Sequence, residues 1–275
     1  MNQNISPALT LQSCARALGV KEQMLTPVGE GANGLIVTDQ SGIAYKFPKN
    51  KIAKESLKKE IVCTGQISKY LSVPVPEYGE VHLDAPLGEA FCCYRLLEGI
   101  SLTPQIYARH RQRLAEQLLS LLNEIHTANI PTACGNPMDF EALYREIRHF
   151  LFPQMQKEER EQVSRRFEAY LSAPKSEKPS CVVHGDLGAS NILCNPESGE
   201  ITAVIDWAEL SRDDPAIDYS SLSCKRSVPQ CRKDFLRLNP RLREVFSRMD
   251  FIQYTFPLQD MLCRAKARMG VFAED

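Results

Sequence analysis

The chain has 275 residues, 43% hydrophobic and 24% charged, which is ordinary globular usage and excludes a disordered, collagen-like or coiled-coil protein. Its 33 Lys and Arg against 34 Asp and Glu leave a formal charge of -1, so no general attraction to nucleic acid or an anionic membrane is expected. The first residues carry no basic n-region and no long apolar h-region, and no run of about 18 uncharged apolar residues follows. A cytoplasmic protein is expected, with its ten scattered cysteines as reduced, mostly buried thiols.

Residues 7–18 place Leu9, Leu11, Cys14, Ala15 and Leu18 near helical spacing, and Gly19 ends the element. From Val28 to Pro48, short apolar runs alternate with turn signals, which predicts a β-meander. Residues 52–71 return to a helical period, with Leu57, Ile61, Thr64, Ile67 and Leu71 as the buried stripe and Pro74 and Pro76 beyond it. Strands are expected at Glu80–Leu83 and Ala90–Leu96. From Arg109 the chain is mostly helical, and Leu114, Leu118, Leu121, Leu122 and Ile125 form one face of a long helix. Residues 139–152, 157–172 and 218–275 are also expected to be helical. A β interruption lies between them: Cys181–Val183, Ile192–Cys194 and Ile201–Ile205. The boundary between a small β-rich part, residues 1–96, and a larger helical part, residues 97–275, is placed near residue 97.

The strongest chemical signal is His184-Gly185-Asp186-Leu187-Gly188-Ala189-Ser190-Asn191, followed by Ile205-Asp206-Trp207. A hairpin pairing Ile192–Cys194 with Thr202–Val204 brings Asn191 and Asp206 to one end. Two hard oxygen donors there suit Mg²⁺, and Asp186 nearby can take a proton from a hydroxyl. Phosphoryl transfer needs that set. The competing reading is a polar turn whose Asp and Asn only cap the backbone. Gly29, Gly31 and Gly34 satisfy G-x-G-x-x-G between two strands, as a phosphate-covering loop does, although a plain hairpin turn also satisfies it. Lys46 sits inside an apolar strand and needs a partner. Glu60, beside Ile61 on the buried face of its helix, is that partner in preference to Glu55, which lies off the stripe. His184 reads as a loop tether rather than a titrating catalyst.

The segments VGEGANG, IAYKFP, RLLEGISLTP, LNEIHTANIP, VVHGDLGASNIL and VIDWAELSRDDPAIDY resemble the aminoglycoside phosphotransferases, closest to their 2″-phosphotransferase branch. The resemblance implies an α+β, two-lobed protein-kinase-like fold and a kinase that moves the γ-phosphate of ATP or GTP to an antibiotic hydroxyl. It implies Asp186 as catalytic base, Asn191 and Asp206 as Mg²⁺ ligands, and Lys46 on the α/β-phosphates with Glu60 behind it. The hinge that faces the base would lie at Tyr94–Leu97, with Tyr94 and Leu96 contributing. Trp207 and Ala208 replace the Phe-Gly that the family often carries, so unusual backbone geometry is expected at Ala208. Glu209, Asp213, Asp234 and Asp260 are the candidate acids for an amine-bearing acceptor. Asp214 and Asp218 are as well suited to brace the loop. The basic run Lys225–Arg248 would repel a polycation if it bordered the acceptor, and is otherwise a solvated face. Alternatives are a kinase of another hydroxyl acceptor (sugar, amino alcohol or macrolide) and a nucleotide-binding pseudokinase. A monomer with small-molecule partners is expected.

Overall fold

The structure, a computed structural model, describes residues 9–31, 33–130, 135–172 and 180–269. Residues 7 and 8 of the expected first helix, and Ala32 of the glycine loop, lie outside them. Helix α1, Leu11–Leu18, starts at a Thr10–Ser13 capping box and ends at Gly19 in the left-handed region. It lays Cys14 and Ala15 on an antiparallel five-stranded sheet, against Leu25, Leu35, Val37, Phe47 and Phe91.

The sheet contains β1 (Thr26–Glu30), β2 (Gly34–Thr38), β3 (Ile43–Pro48), β4 (Tyr78–Val81) and β5 (Cys92–Arg95), in the order β1-β2-β3-β5-β4. The β2–β3 turn forms because Asp39 Oδ1 accepts from the N–H of Ser41 and of Ile43. The expected meander is present. Strand β4 begins two residues before the expected Glu80, because Leu83 is buried in a turn instead of the strand. Helix α2, Lys51–Ile67, is capped by Asn50 and buries Leu57, Glu60, Cys63, Thr64 and Ile67. The expected helix ran to Leu71, but its last turn, Ser68–Tyr70, tightens into a 3₁₀ turn before the prolines.

The remainder is a helical body: α3 (Pro104–Arg109), α4 (Arg111–Thr127), α5 (Phe140–Phe150), α6 (Lys157–Leu171), α7 (Ala216–Leu222), α8 (Cys231–Leu238) and α9 (Arg243–Arg268). The predicted α4 stripe is buried as expected. Its core is continuous with Trp207, Phe167, Phe235 and Met249, and Cys63 and Ile67 of α2 join it. Burial of large apolar side chains at about 1.5–3 kcal/mol each is the main driving force here.

Two small sheets sit in this body, and they differ from the sequence expectation. Strand β6 (Ile100–Ser101) pairs with β8 (Ile192–Asn195), which pairs with β9 (Glu200–Val204). Strand β7 (Cys181–Val183) leaves that hairpin and pairs with β10 (Ser211–Asp213). Strand β7 falls at its expected place, whereas β6 and β10, of two and three residues, lie outside the expected strands, because so short a run shows too little alternation and has no turn signal beside it. The hairpin register is Ile192 opposite Val204 and Leu193 opposite Ala203, then shifts so that Cys194 faces Ile201. Every cysteine among the described residues is a free thiol. Among the described residues, no helix is long and apolar enough to cross a membrane.

Candidate active site

The first of two adjoining cavities, about 390 Å³, lies under the sheet. Gly29, Gly31 and Gly34 line it from the β1–β2 turn, with Lys46, Glu60, Tyr94, Ser190 and Asp206. Gly29 and Gly31 face open space, whereas a Cβ at Gly34 would meet the Phe47 carbonyl at 2.4 Å. Gly34 is therefore required by strand packing.

Lys46 projects from β3 to Glu60 of α2, with Nζ 2.6 Å from Oε2. The Tyr78 hydroxyl donates to the other oxygen, Oε1, at 2.6 Å. Glu60 is 3% exposed, so both its oxygens are satisfied inside the protein. Burial alone would lower the Lys46 pKa. The negative charges of Glu60 and then Asp206 outweigh it, so the ammonium is held charged above the ordinary lysine value. Burial, then Glu60, raises the Tyr78 phenol, which keeps its proton and donates. Burial also pushes the Tyr94 phenol up to about 12. Leu96 does not line the cavity. Its N–H is spent on the Gly42 carbonyl at 2.9 Å, so that expected hinge donor is engaged elsewhere.

The loop after β7 is tied down from three sides. Asp218, fully buried at the start of α7, accepts from the N–H of His184 and of Gly185, each at 3.0 Å. His126 of α4 reaches the same carboxylate at 3.0 Å. The His184 ring places Nε2 3.1 Å from the Ile205 carbonyl, and Nδ1 accepts from the Asp186 N–H at 3.3 Å. That arrangement requires the neutral Nε2–H tautomer. His184 thus stitches the loop after β7 to the end of β9, the tether read from the sequence. Gly185 has φ 88°, and a Cβ there would strike the Glu209 carbonyl at 2.4 Å.

Asp186 carries a raised pKa. Burial is the main cause, and Asp206 and Glu209 add repulsion. The neighbouring His184 and the Asn191 amide act in the opposite direction. The Asn191 amide donates to the Asp186 carbonyl at 2.8 Å and to Oδ2 at 3.3 Å, which steadies the carboxylate. The Ile205 N–H donates to the Asn191 carbonyl at 3.0 Å, so Asn191 and Asp206 meet at one end of the hairpin.

Asp206 has φ 66°, the one described non-glycine residue in the left-handed region. Such a conformation costs about 1 kcal/mol or more and is most tolerable for Asp and Asn. The unusual backbone expected at Ala208 therefore falls two residues earlier. The Asp206 carboxylate accepts no hydrogen bond among the described residues and faces the first cavity. With Asn191 Oδ1 turned away from Asp186, two hard oxygen donors fit a Mg²⁺ ion that completes its shell from phosphate and water. Among the described residues, no three His, Cys, Asp or Glu side chains cluster as an all-protein cage.

The second cavity, about 830 Å³, opens on the other side of the loop. Asp186, Ser190, Glu209, Asp213 and Asp260 line it, with Phe140, Ile252 and Phe256 as apolar wall. Asp234 is not there. It is buried in α8, where it accepts from the Tyr107 hydroxyl at 2.9 Å and the Arg111 Nε at 2.8 Å. Asp213 accepts from the N–H of Met138 and of Asp214, and burial raises its pKa. Asp214 is bound by Arg248 at 2.6 and 3.0 Å. Of the basic run, only Arg226 lines the cavity. Arg232 pairs with Asp250 and the rest is largely solvated. Sequence reading missed Tyr78 and Ser190, and carried Arg226 only as part of the basic run. Ser190 could have been found, since it sits beside Asn191 in the strongest motif.

A family model described as "Phosphotransferase enzyme family" matches residues 25–250. A 121-residue stretch is 31% identical to the viomycin phosphotransferase of Streptomyces vinaceus, spanning 40% of this chain and 41% of that protein. The fold is similar to the GDP and kanamycin complex of APH(2″)-IIIa, with TM-score 0.73 and 23% identity over 89% of each chain. It is also similar to the streptomycin–ATP–APH(2″)-IIa complex, with TM-score 0.71 and 16% identity over 95% of this chain and 91% of that one. The macrolide 2′-phosphotransferase MphH of Brachybacterium faecium gives TM-score 0.67 and 18% identity over 90% of each. At these identities the structural likeness establishes the protein-kinase-like fold. The family match, over most of the chain, establishes membership: this chain belongs to the phosphotransferase enzyme family.

Proposed function

We propose that the chain is a small-molecule kinase that moves the γ-phosphoryl group of ATP or GTP to a hydroxyl of an aminoglycoside antibiotic. In this reading residues 1–96 form the nucleotide lobe and 97–275 the catalytic and acceptor lobe. One observation carries it: the two cavities share Ser190, with Asp206 on the first and Asp186 on the second. Phosphoryl transfer is chiefly positioning and charge stabilisation, so a donor site and an acceptor site that meet at a carboxylate pair supply its requirements.

The backbone at Gly29, Gly31 and Gly34 covers the phosphates, and the Lys46 ammonium, kept charged and aimed by Glu60, meets their α- and β-oxygens. Asn191 Oδ1 and Asp206 would hold Mg²⁺, which would supply charge neutralisation to the transferring phosphoryl group. Asp186 orients the acceptor hydroxyl and takes its proton as the new O–P bond forms. The bond to the β-phosphate oxygen breaks, and the nucleoside diphosphate leaves. Because burial raises the Asp186 pKa, activity declines on acidification at a pH above that of an ordinary aspartate.

Carboxylates on the acceptor cavity and the antibiotics bound by the structural relatives support a cationic acceptor. The apolar wall of Met138, Phe140, Ile252 and Phe256 favours a second reading, a macrolide-type acceptor. Steady-state assays pairing ATP and GTP with kanamycin, streptomycin and a macrolide separate the two. Aminoglycoside turnover is expected. Turnover of the macrolide alone selects the second reading, and no transfer to any acceptor overturns both.

A further inference from the structure

We infer that Arg226 sets acceptor specificity by occupying, from within the chain, the outer carboxylate that a cationic acceptor would use; this rests on the kinase reading above. The charged groups on the second cavity are Asp139, Asp186, Glu209, Asp213, Asp260 and, as the single cation among the described residues, Arg226. Three of the acids are already committed. Asp139 caps α5 through the Ala142 N–H. Asp213 is held by two backbone N–H groups. Asp186 is steadied by the Asn191 amide and reserved for the hydroxyl.

Two acids remain. The Glu209 carboxylate is exposed and has no hydrogen-bond or ion-pair partner among the described residues. Asp260, on α9, is ion-paired with Arg226, and its side chain is 33% exposed against 73% for the arginine. The backbone at Arg226 is fixed. Its neighbour Ser227 donates its N–H to the Cys224 carbonyl at 3.0 Å, and the Ser227 hydroxyl accepts from Ala189 of the catalytic loop at 2.8 Å. Only the flexible, solvated side chain can move.

Asp260 Oδ2 is itself shut off from solvent, but the guanidinium is exposed, and a pair solvated on one side is weak and exchangeable. An incoming ammonium or guanidinium takes Asp260, Arg226 swings to water, and the site's net charge is kept at one cation per outer acid. An acceptor without a cation gains nothing from Asp260 and leaves the pair closed. Arg226 thereby admits polycations that outcompete one guanidinium, at a cost in their affinity.

The test compares wild type, Arg226→Gln, Asp260→Asn and the double variant with kanamycin and streptomycin as acceptors. Arg226→Gln lowers the acceptor KM by about two- to fivefold, the scale of one exposed ion pair. Asp260→Asn raises it by a similar factor, and adding Arg226→Gln to Asp260→Asn changes nothing further. The nucleotide KM stays put throughout. If Arg226→Gln leaves the acceptor KM unchanged or raises it, or if the two substitutions add independently, the inference is overturned while the kinase reading stands. Transfer to neither aminoglycoside by the wild type overturns the inference, and transfer to no acceptor at all overturns the kinase reading itself.

Discussion

On the donor side, the ion pair of Lys46 and Glu60 is locked inside the protein, with a tyrosine hydroxyl closing the second carboxylate oxygen. On the acceptor side, the pair of Arg226 and Asp260 stands at a cavity mouth, half in water. In the proposed kinase reading, the first pair would hold one fixed charge for a ligand part that never varies, a triphosphate. The second can rearrange around ligands that differ in shape and charge. A cation–carboxylate pair thus serves rigidity when desolvated, and in this reading selection when one partner is solvated.

The sharpest way to break this comparison is at the point where the cavities meet. Asp186→Asn keeps the shape of the loop and the contact with Asn191, but removes the proton acceptor. We expect kcat to fall by about 10²-fold or more, the usual contribution of a positioned base, with nucleotide KM little changed. Single-turnover assays with saturating ATP or GTP check it. Near-wild-type turnover would remove Asp186 from the chemistry.

Next in size is the donor-side pair. Glu60→Ala strips Lys46 and the Tyr78 hydroxyl of their shared partner in a buried setting. Breaking a buried ion pair costs about 3–5 kcal/mol. Urea unfolding should show a large drop in midpoint, together with a raised nucleotide KM. A drop well under 1 kcal/mol would place this pair in the solvated class with Arg226 and Asp260.

How far the sequence carried depends on how local each geometry is. Lys46 and Glu60 could be paired because one sits in an apolar strand and the other on a helix stripe, and the next element packs on the last. Asp186, Asn191 and Asp206 could be grouped because a single hairpin joins them. The acceptor cavity draws on residues from Ser101 to Asp260, and no short-range period encodes that assembly. Asp234 illustrates the failure. Its charge suggested an acceptor contact, but its partners, Tyr107 and Arg111, lie over 100 residues away in the chain. The short strands β6 and β10 were unreadable for the same reason, since each exists only through a distant partner.

Asp234 therefore sharpens the comparison from outside both cavities. Asp234→Asn should cost about 1–3 kcal/mol, the range for disturbing a buried polar group that serves two donors. Acceptor and nucleotide KM should stay at wild-type values for the fraction that is folded. Thermal melts alongside steady-state kinetics measure both. A selective rise in acceptor KM with unchanged stability would return Asp234 to the acceptor site.

The smallest effect expected is in the stability of the catalytic loop, and it has the opposite sign to the loss of activity. Burial raises the Asp186 pKa above its unfolded value, so the folded state binds that proton more tightly than the unfolded state does. Its favourable contribution is full below the unfolded pKa and fades as pH rises through the folded one. At neutral pH the buried carboxylate is a net burden, carried because the reaction needs a base. Asp186→Asn lifts that burden and should melt higher than wild type at pH 7. The expected outcome is the sign of the difference, a higher Tm for the variant at pH 7. Lowering the pH protonates the wild-type carboxylate, so the gap should narrow as pH falls through the folded pKa and close only below the ordinary aspartate value of about 3.9. Melting curves of both proteins across that range decide it. A variant less stable than wild type at pH 7, or a gap that widens in acid, would mean the loop is built around the charge instead of in spite of it.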